Sequence, residues 1–392
     1  MENAKKNVAL LAGCQAMLFT NNVTLISLAA LAGFSLADDK ALATLPATAY
    51  VIGAALATLP ASFFMKRFGR KTGFQFGTFM GMAGAALCCF ALWLHSFWLL
   101  CAGVLVLGVY NAFGQYYRFA AADVAAQDFK AKAISLVMAG GLVGGIIGPE
   151  MSKHTRDLFA VPFLGAYASL LVFCLITMAL VAFLRVPLPS AAERHEPARP
   201  LAQIMTQPAV IVAVTGSALG YGVMSLLMTA TPLAMGLCGH AYDSAALVIE
   251  WHVIGMFAPS FFTGSLIRRF GVLSVMLTGV ALEALCVVIA LSGVLVANFW
   301  WALVMLGVGW NFLYVGGTTL LTECYRPSEK AKAQGMHDFL VFVTTATSSF
   351  ASGLLMDRSG WDTLNYAALP IVGVIGAAIV WLALRRRAAV AA

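Results

Sequence analysis

Residues 62–69 read SFFMKRFG, and residues 264–271, found 202 positions further along the chain, read GSLIRRFG. A second pair is closer still, because KAKA at residues 130–133 recurs at residues 330–333. Each copy also has an acid and an asparagine upstream: Asp123 and Asn111 in the first, Glu323 and Asn311 in the second. Similarity at a spacing of about 200 residues indicates a protein built from two like halves.

The composition places these halves in a membrane. Hydrophobic residues make up 61% of the chain, charged residues only 10%, and the mean hydropathy is +0.88. A soluble domain would carry roughly 25% charged residues. Crossing a hydrocarbon layer of about 30 Å takes roughly 20 apolar residues, and the sequence predicts about twelve such runs, the first near 8–34 and the last near 363–384. We therefore expect an all-α membrane protein with twelve transmembrane helices.

The basic residues predict the orientation. With a cytoplasmic N-terminus, only Lys40, Lys153, Arg156 and Arg358 of the 24 Lys and Arg residues fall outside. Because short loops rich in Lys and Arg stay on the cytoplasmic side, both termini are expected there, in the cytoplasmic (inner) membrane. The pI near 9.0 then reflects topology, and no basic block indicates a nucleic-acid partner.

A polar, proline-rich stretch divides the chain into two groups of six runs. Prolines and charges alternate between Arg185 and Pro200 and prevent a continuous helix. We predict an N-terminal six-helix bundle over 1–184, a cytoplasmic linker over 185–206 and a C-terminal six-helix bundle over 207–392.

At this point the chain resembles a known family. Residues 66–71, which read KRFGRK, are similar to the end of the motif Gly-x-x-x-Asp-Arg-x-Gly-Arg-Lys of the major facilitator superfamily, and residues 264–271 are a second copy. Lys66 and Arg268 stand where the family usually has aspartate. The resemblance implies two pseudo-symmetric bundles and a secondary transporter that works by alternating access.

The acids of the repeat are candidates for a gate. Asp123 and Glu323 are expected at the cytoplasmic ends of spans four and ten. Asp123 is expected to pair with Arg70 or Lys71, and Glu323 with Arg268 or Arg269. The alternative is that these are ordinary charges in the headgroup region.

The resemblance implies that spans one, four, seven and ten line the solute path. Asn111, Gln115 and Arg118 are spaced to share one helical face, and Arg118 is expected to meet an anion or to reach Asp123. The predicted solute-binding residues are Asn22, Asn111, Gln115, Arg118, Tyr221, Asn311 and Tyr314.

Several tyrosines and tryptophans stand at similar levels, and together they favour a planar or amphipathic organic solute. An anionic aromatic metabolite is our hypothesis, with Arg118 as its charged partner. Neutral or cationic lipophiles are the alternative, and import and export both stay open.

Carboxylates inside the membrane are candidates for proton coupling, because a buried acid can exchange a proton as access changes. Glu250 ranks first and Asp338 second. No nucleotide-binding loop, metal signature or catalytic Ser/His arrangement appears in the sequence. We therefore expect no enzyme, no cofactor and no metal, and a monomer whose partners are a small solute, protons and the bilayer. The other function considered is a membrane sensor or structural protein that keeps the fold without transport.

Overall fold

The computed structural model describes residues 2–189 and 196–391, and it contains helices and no strand within those ranges. Residues 190–195 of the predicted linker, Arg194 among them, lie outside the described residues. The helices are α1 (Glu2–Leu36), α2 (Leu45–Phe68), α3 (Arg70–Trp93), α4 (Phe97–Gly114), α5 (Tyr117–Val124), α6 (Lys130–Thr155), α7 (Leu164–Ala182), α8 (Leu201–Met205), α9 (Pro208–Leu237), α10 (Tyr242–Phe257), α11 (Ser260–Phe270), α12 (Val272–Leu291), α13 (Val296–Thr322) and α14 (Lys330–Ala391).

Within the described residues ten helices are long and apolar enough to cross a membrane, the bent pair α10–α11 makes an eleventh span, and dividing α14 at its break gives twelve. Helices α4 and α5 form one span, and α10 and α11 form another that bends by 41° at Pro259. Helix α14 has 62 residues and would be about 93 Å long if straight, which far exceeds one crossing of about 30 Å. Its backbone leaves the helical region at Gly360, where φ is 77°, and this break divides it into two spans. The fold is that of an all-α membrane protein.

The repeated Phe-Gly pair ends one helix and starts the next in both halves. Gly69 separates α2 from α3 with φ of 91°, and Gly271 separates α11 from α12 with φ of 83°. Residues with a Cβ rarely adopt such angles. The repeat recognised in the sequence therefore encodes two tight interhelical turns of the same geometry.

The chain forms two compact units. Unit 1 comprises Met1–Ala126, Gly140–Pro197 and Lys330–Phe339, and unit 2 comprises Gln127–Ala139, Ala198–Glu329 and Leu340–Ala392. The KAKA repeats lie in the two short exchanged segments, so the start of α14 belongs to unit 1 and the start of α6 to unit 2. The bundle boundaries at 184 and 207 stay a prediction.

Small residues bring the helices of each unit close together. A Cβ on Gly84 of α3 would lie 2.9 Å from the carbonyl oxygen of Gly103 on α4. In unit 2, a Cβ on Gly279 of α12 would lie 2.9 Å from the carbonyl oxygen of Gly309 on α13. Close backbone approach at such positions is a common way to pack helices in lipid, where no hydrophobic driving force exists between them.

Candidate functional site

A buried chain of amide side chains runs through unit 1. Tyr50 of α2 donates its hydroxyl hydrogen to the side-chain oxygen of Asn22 on α1. Asn22 Nδ2 and Gln115 Nε2 each donate to Asn111 Oδ1 over 3.0 Å. Three residues predicted to bind solute, Asn22, Asn111 and Gln115, are therefore in direct contact. Asn111 Nδ2 forms no hydrogen bond with any described residue, so this network keeps an unused donor.

The hydrogen-bonded chain continues through Arg118 and ends at the carboxylate of Asp338. Arg118 Nη1 donates to the backbone oxygen of Gln115 over 2.5 Å and to the side-chain oxygen Oε1 at 3.4 Å, and Arg118 Nη2 donates to Asp338 Oδ1. Asp338 Oδ1 also lies 2.8 Å from Nδ1 of His337. All three side chains are buried, with exposures of 0 to 2%. The alternative in which Arg118 reaches Asp123 is wrong: its anionic partner is Asp338, which lies 220 positions away in sequence.

A break in the helix shapes this arrangement. The sequence predicted Asn111, Gln115 and Arg118 on one face of a continuous helix, whereas α4 ends at Gly114 and α5 begins at Tyr117. The guanidinium of Arg118 folds back onto the carbonyl of Gln115 at this turn, which satisfies an oxygen that the interrupted helix leaves unpaired. The three side chains still form one connected set.

Four aromatic rings form a cluster in unit 2. Tyr221 of α9 meets Trp310 and Tyr314 of α13 edge to face, at centroid distances of 5.2 and 5.6 Å. Trp310 stacks on Tyr314 at 5.1 Å, and Phe257 of α10 closes the set against Trp310 at 5.7 Å. The indole nitrogen of Trp310 is buried and has no hydrogen-bond partner within the described residues. Tyr221 is only half-buried, so the cluster has an accessible side.

Asn311 follows Trp310 of this cluster in sequence, and its side chain is hydrogen-bonded to other protein groups. Its Nδ2 donates to the backbone oxygen of Met256 and to Ser260 Oγ, both over 2.6 Å, and Thr263 donates to its Oδ1 over 2.7 Å. These contacts hold α13 against the bend between α10 and α11. Both amide hydrogens of Asn311 are thus bonded to protein groups in this structure, and its role in binding solute stays a prediction.

The first half of the predicted gate is an ion-pair cluster in unit 1. Asp123 lies 3.0 Å from Arg70 Nε and 3.1 Å from Lys330 Nζ. Arg70 also donates to Gln334 Oε1 over 2.6 Å, and Ser62 Oγ donates to the backbone oxygen of Ala331 over 2.9 Å. The Asp123–Arg70 pair was predicted, and three contacts to the start of α14, made by Asp123, Arg70 and Ser62, add to it.

Lys71, the alternative partner of Asp123, instead donates to the backbone oxygen of Ala182 at the end of α7, over 2.6 Å.

The second half of the predicted gate is built differently. Glu323 lies 3.7 Å from Arg386 Nη2, and among the described residues neither Arg268 nor Arg269 pairs with it, so that prediction is wrong. Arg386 stands near the end of α14, where sequence spacing gives no hint of it. Partial burial raises the pKa of the Glu323 carboxyl above its usual value.

Ser135 of α6 forms hydrogen bonds that hold α6 against α11. It donates to the backbone oxygen of Ser260 and accepts from the backbone nitrogen of Gly264 over 3.0 Å.

The two carboxylates ranked for proton coupling have opposite surroundings. Glu250 of α10 is exposed and has no ion-pair or hydrogen-bond partner in the described chain, so it lacks the buried setting that its ranking required. Asp338 is buried at the end of the polar chain. A third acid, Glu283 of α12, is fully buried.

Sequence comparison extends the similarity to the whole chain. The family model described as Major Facilitator Superfamily matches residues 8–258 and 239–392. The chain belongs to this superfamily. It is therefore a multi-pass membrane transporter and not an enzyme.

Two curated relatives have the same extent as this chain. The riboflavin transporter RfnT of Brucella anthropi is 42% identical over 377 residues, which cover 95% of this chain and 94% of the relative. The uncharacterized MFS-type transporter YddS of Bacillus subtilis is 28% identical over 378 residues, covering 91% and 86%.

Solved structures of the superfamily share the fold. The fucose:proton symporter FucP of E. coli has a TM-score of 0.76 at 15% identity, covering 95% of this chain and 98% of that one. The human organic anion transporter MFSD10 has a TM-score of 0.79 at 11% identity, covering 96% and 99%. At these identities the likeness concerns the fold alone.

Proposed function

We propose that this superfamily member transports riboflavin or a closely related flavin. One observation carries the proposal: 42% identity along 95% of the chain to a relative named as a riboflavin transporter. Riboflavin joins an uncharged tricyclic ring to a chain of hydroxyl groups. Its recognition therefore needs aromatic surfaces for the ring and hydrogen-bonding groups for the ring edge and the hydroxyls.

The aromatic cluster of unit 2 supports recognition of the ring. A planar tricycle gains about 0.5–1.5 kcal/mol from each well-placed aromatic contact beyond the area it buries. Tyr221 is half-buried and packs against Trp310 and Tyr314, so its ring is the accessible edge of a rigid aromatic surface.

The polar chain of unit 1 supports recognition of an uncharged solute. Asn111 is linked directly to the amide of Gln115 and, through Asn22, to the hydroxyl of Tyr50. Amide and hydroxyl groups of this kind suit the recognition of sugar-type hydroxyls. Arg118 is already neutralised by Asp338. This pairing favours a neutral flavin over the anionic aromatic metabolite suggested by Arg118 alone.

Asp338 and His337 support coupling to protons. The carboxylate holds Arg118 on one side and the imidazole on the other, while Asp338 Oδ2 and His337 Nε2 have no partner among the described residues. Protonation of Asp338 would release Arg118 to Gln115, and through it the amide chain that contacts solute. We therefore assign Asp338, rather than Glu250, as the first coupling candidate in unit 1.

The same proposal includes alternating access in the cytoplasmic membrane with both termini inside, since the basic residues are distributed that way. It also includes the predicted bundles 1–184 and 207–392, joined by the linker 185–206. In this scheme the ion pairs of Asp123 with Arg70 and Lys330 break and form again during the transport cycle.

Binding to the purified protein tests the substrate. Stacking quenches riboflavin fluorescence, so titration gives an affinity directly. We expect Tyr221→Ala to weaken binding by roughly 2- to 13-fold, the equivalent of one aromatic contact, and Tyr221→Phe to bind as the wild type does. Tyr366→Ala, which removes an exposed ring on α14, is the matched control.

Binding of flavin mononucleotide, which is riboflavin with an added phosphate, tests whether the protein prefers a neutral or an anionic solute. The proposal predicts that it binds more weakly than riboflavin. Preference for the phosphate that is lost in Arg118→Ala would restore the anionic hypothesis, and binding of neither flavin would refute the proposed substrate.

A further inference from the structure

Glu283 is a buried acid that the proposed mechanism does not use. It lies in the middle of α12 with 0% of its surface exposed, and neither carboxyl oxygen has a hydrogen-bond partner among the described residues. Buried carboxylates elsewhere in this chain are paired, as Asp338 is with Arg118. Glu283 is therefore held in an unusual state that needs a physical explanation.

Glycines on two neighbouring helices make room for this side chain. A Cβ on Gly309 of α13 would lie 2.9 Å from Glu283 Cγ, and a Cβ on Gly220 of α9 would lie 3.5 Å from Glu283 Oε1. The carboxyl group thus occupies a slot between α9 and α13. Each glycine directly precedes a member of the aromatic cluster: Tyr221 follows Gly220, and Trp310 follows Gly309.

The surroundings offer no charge to balance an ionised carboxylate. Helices α9 and α13 contain no Asp, Glu, Lys, Arg or His, and their titratable groups near this level are the hydroxyls of Tyr221 and Tyr314. On α12 itself, the other titratable group is the buried thiol of Cys286. Other groups on neighbouring helices lie at helix ends, near the break in α14 or on α10. They are Arg268 and Arg269 in the last turn of α11, Asp357, Arg358, Asp362 and Tyr366 near Gly360, Arg385 to Arg387 near the end of α14, and Asp243, Glu250 and His252 on α10. An unpaired ionised carboxylate is strongly disfavoured in such a place, so these surroundings favour the neutral, protonated form of Glu283.

The internal repeat shows that the fold itself does not require an acid here. The position 202 residues earlier is Gly81 of α3, where a Cβ would lie 2.8 Å from the ring of Tyr110. Tyr110 corresponds to Trp310 at the 200-residue spacing of the second repeat. Unit 1 thus fills the equivalent space with a tyrosine ring and a glycine, and unit 2 places an ionisable group behind its tryptophan.

We propose that Glu283 is a proton-binding site of unit 2 whose charge state controls the aromatic cluster. Breaking its O–H bond transfers the proton to water entering the slot, and the resulting carboxylate demands hydration. Hydration would separate α9 from α13 at the two glycines and displace Tyr221 from Trp310. The ligand of this site is a proton, and the inference rests on the proposed function for the identity of the solute.

Infrared spectroscopy tests the protonation state without any solute. The wild type is expected to show the carbonyl band of a neutral buried carboxylic acid, which Glu283→Gln removes and the exposed Glu250→Gln leaves in place. A wild-type spectrum whose acid band is unchanged by Glu283→Gln would overturn the proposal, whatever the transported solute is.

Transport tests the coupling. In proteoliposomes, Glu283→Gln is expected to exchange riboflavin as the wild type does when no pH gradient is present, and to lose the acceleration that an imposed gradient gives the wild type. Glu283→Asp is expected to recover part of that acceleration, and size-exclusion chromatography confirms that each variant is folded.

Two results would contradict the coupling. Acceleration by the gradient that persists in Glu283→Gln, or loss of gradient-free exchange in a folded Glu283→Gln protein, would make Glu283 a structural residue. Absence of riboflavin exchange by the wild type would instead refute the proposed function, while the infrared result would still decide whether Glu283 holds a proton.

Discussion

Replacing Asp123 with asparagine should release the start of α14 from the rest of unit 1. The substitution keeps the size of the side chain and removes its charge. Asp123 contacts Arg70 at 3.0 Å and Lys330 at 3.1 Å, and the Arg70 and Asp123 side chains are only 9% and 16% exposed. Both ion pairs disappear together, and Arg70 keeps its hydrogen bond to Gln334.

The size of the effect follows from burial. Each contact has about 5 kcal/mol of gross Coulomb attraction at an effective dielectric constant near 20, most of which desolvation offsets. Breaking a buried pair costs about 3–5 kcal/mol, and an exposed pair contributes about 0.2–1 kcal/mol. For this partly buried cluster we expect about 2 kcal/mol, which is roughly a 30-fold shift in the equilibrium between tied and released states.

Hydrogen–deuterium exchange measures this shift directly, because local opening sets the exchange rate of protected amides. Exchange over Lys330–Phe339 should accelerate by roughly 30-fold in Asp123→Asn. Glu323→Gln is the matched control. This acid of the second repeat makes one 3.7 Å contact with Arg386, and both side chains are 40% or more exposed. The exchange rates around Glu323 and Arg386 should therefore stay unchanged in this variant. Equal protection of Lys330–Phe339 in Asp123→Asn and the wild type would refute the reasoning.

Two further substitutions test the packing and the buried pair. Gly264→Ala should lower the melting temperature, because its Cβ would lie 2.5 Å from the backbone oxygen of Ala131, at a cost of about 1–3 kcal/mol. Gly373→Ala is the control and should leave the melting temperature unchanged, because a Cβ there meets open space. Equal melting temperatures of the two variants would contradict the close approach at Gly264. Arg118→Met should destabilise the protein by about 3–5 kcal/mol, because the buried Asp338 then loses its arginine partner. The double change Arg118→Met with Asp338→Leu should recover most of that loss, and a double variant as unstable as the single one would count against the pair.

The repeats made much of the fold predictable. Glycines at 69 and 271 mark turns that both halves need, and the acids upstream of KAKA indicated where ion pairs would form. The Arg70–Asp123 pair could be predicted because the acid follows span four and the basic residues stand in the short loop between spans two and three, so the sequence offered few candidate partners. Spacing along a single helix likewise grouped Asn111, Gln115 and Arg118 correctly, even though the helix is interrupted between them.

Contacts between segments distant in sequence could not be predicted. Asp338 lies 220 residues from Arg118, and local spacing carries no information about such a pairing. Asn311 looked equivalent to Asn111 in the repeat, yet the bend at Pro259 brings Met256 and Ser260 against it and uses its amide hydrogens. Glu283 is distinguished by glycines on two other helices, which only the packed structure brings together.

Riboflavin counterflow in proteoliposomes containing only the purified protein tests the central claim most directly. Vesicles loaded with unlabelled riboflavin should accumulate labelled riboflavin from outside, and the exchange should weaken in Tyr221→Ala but not in Tyr366→Ala. Binding of riboflavin without any counterflow would contradict the account.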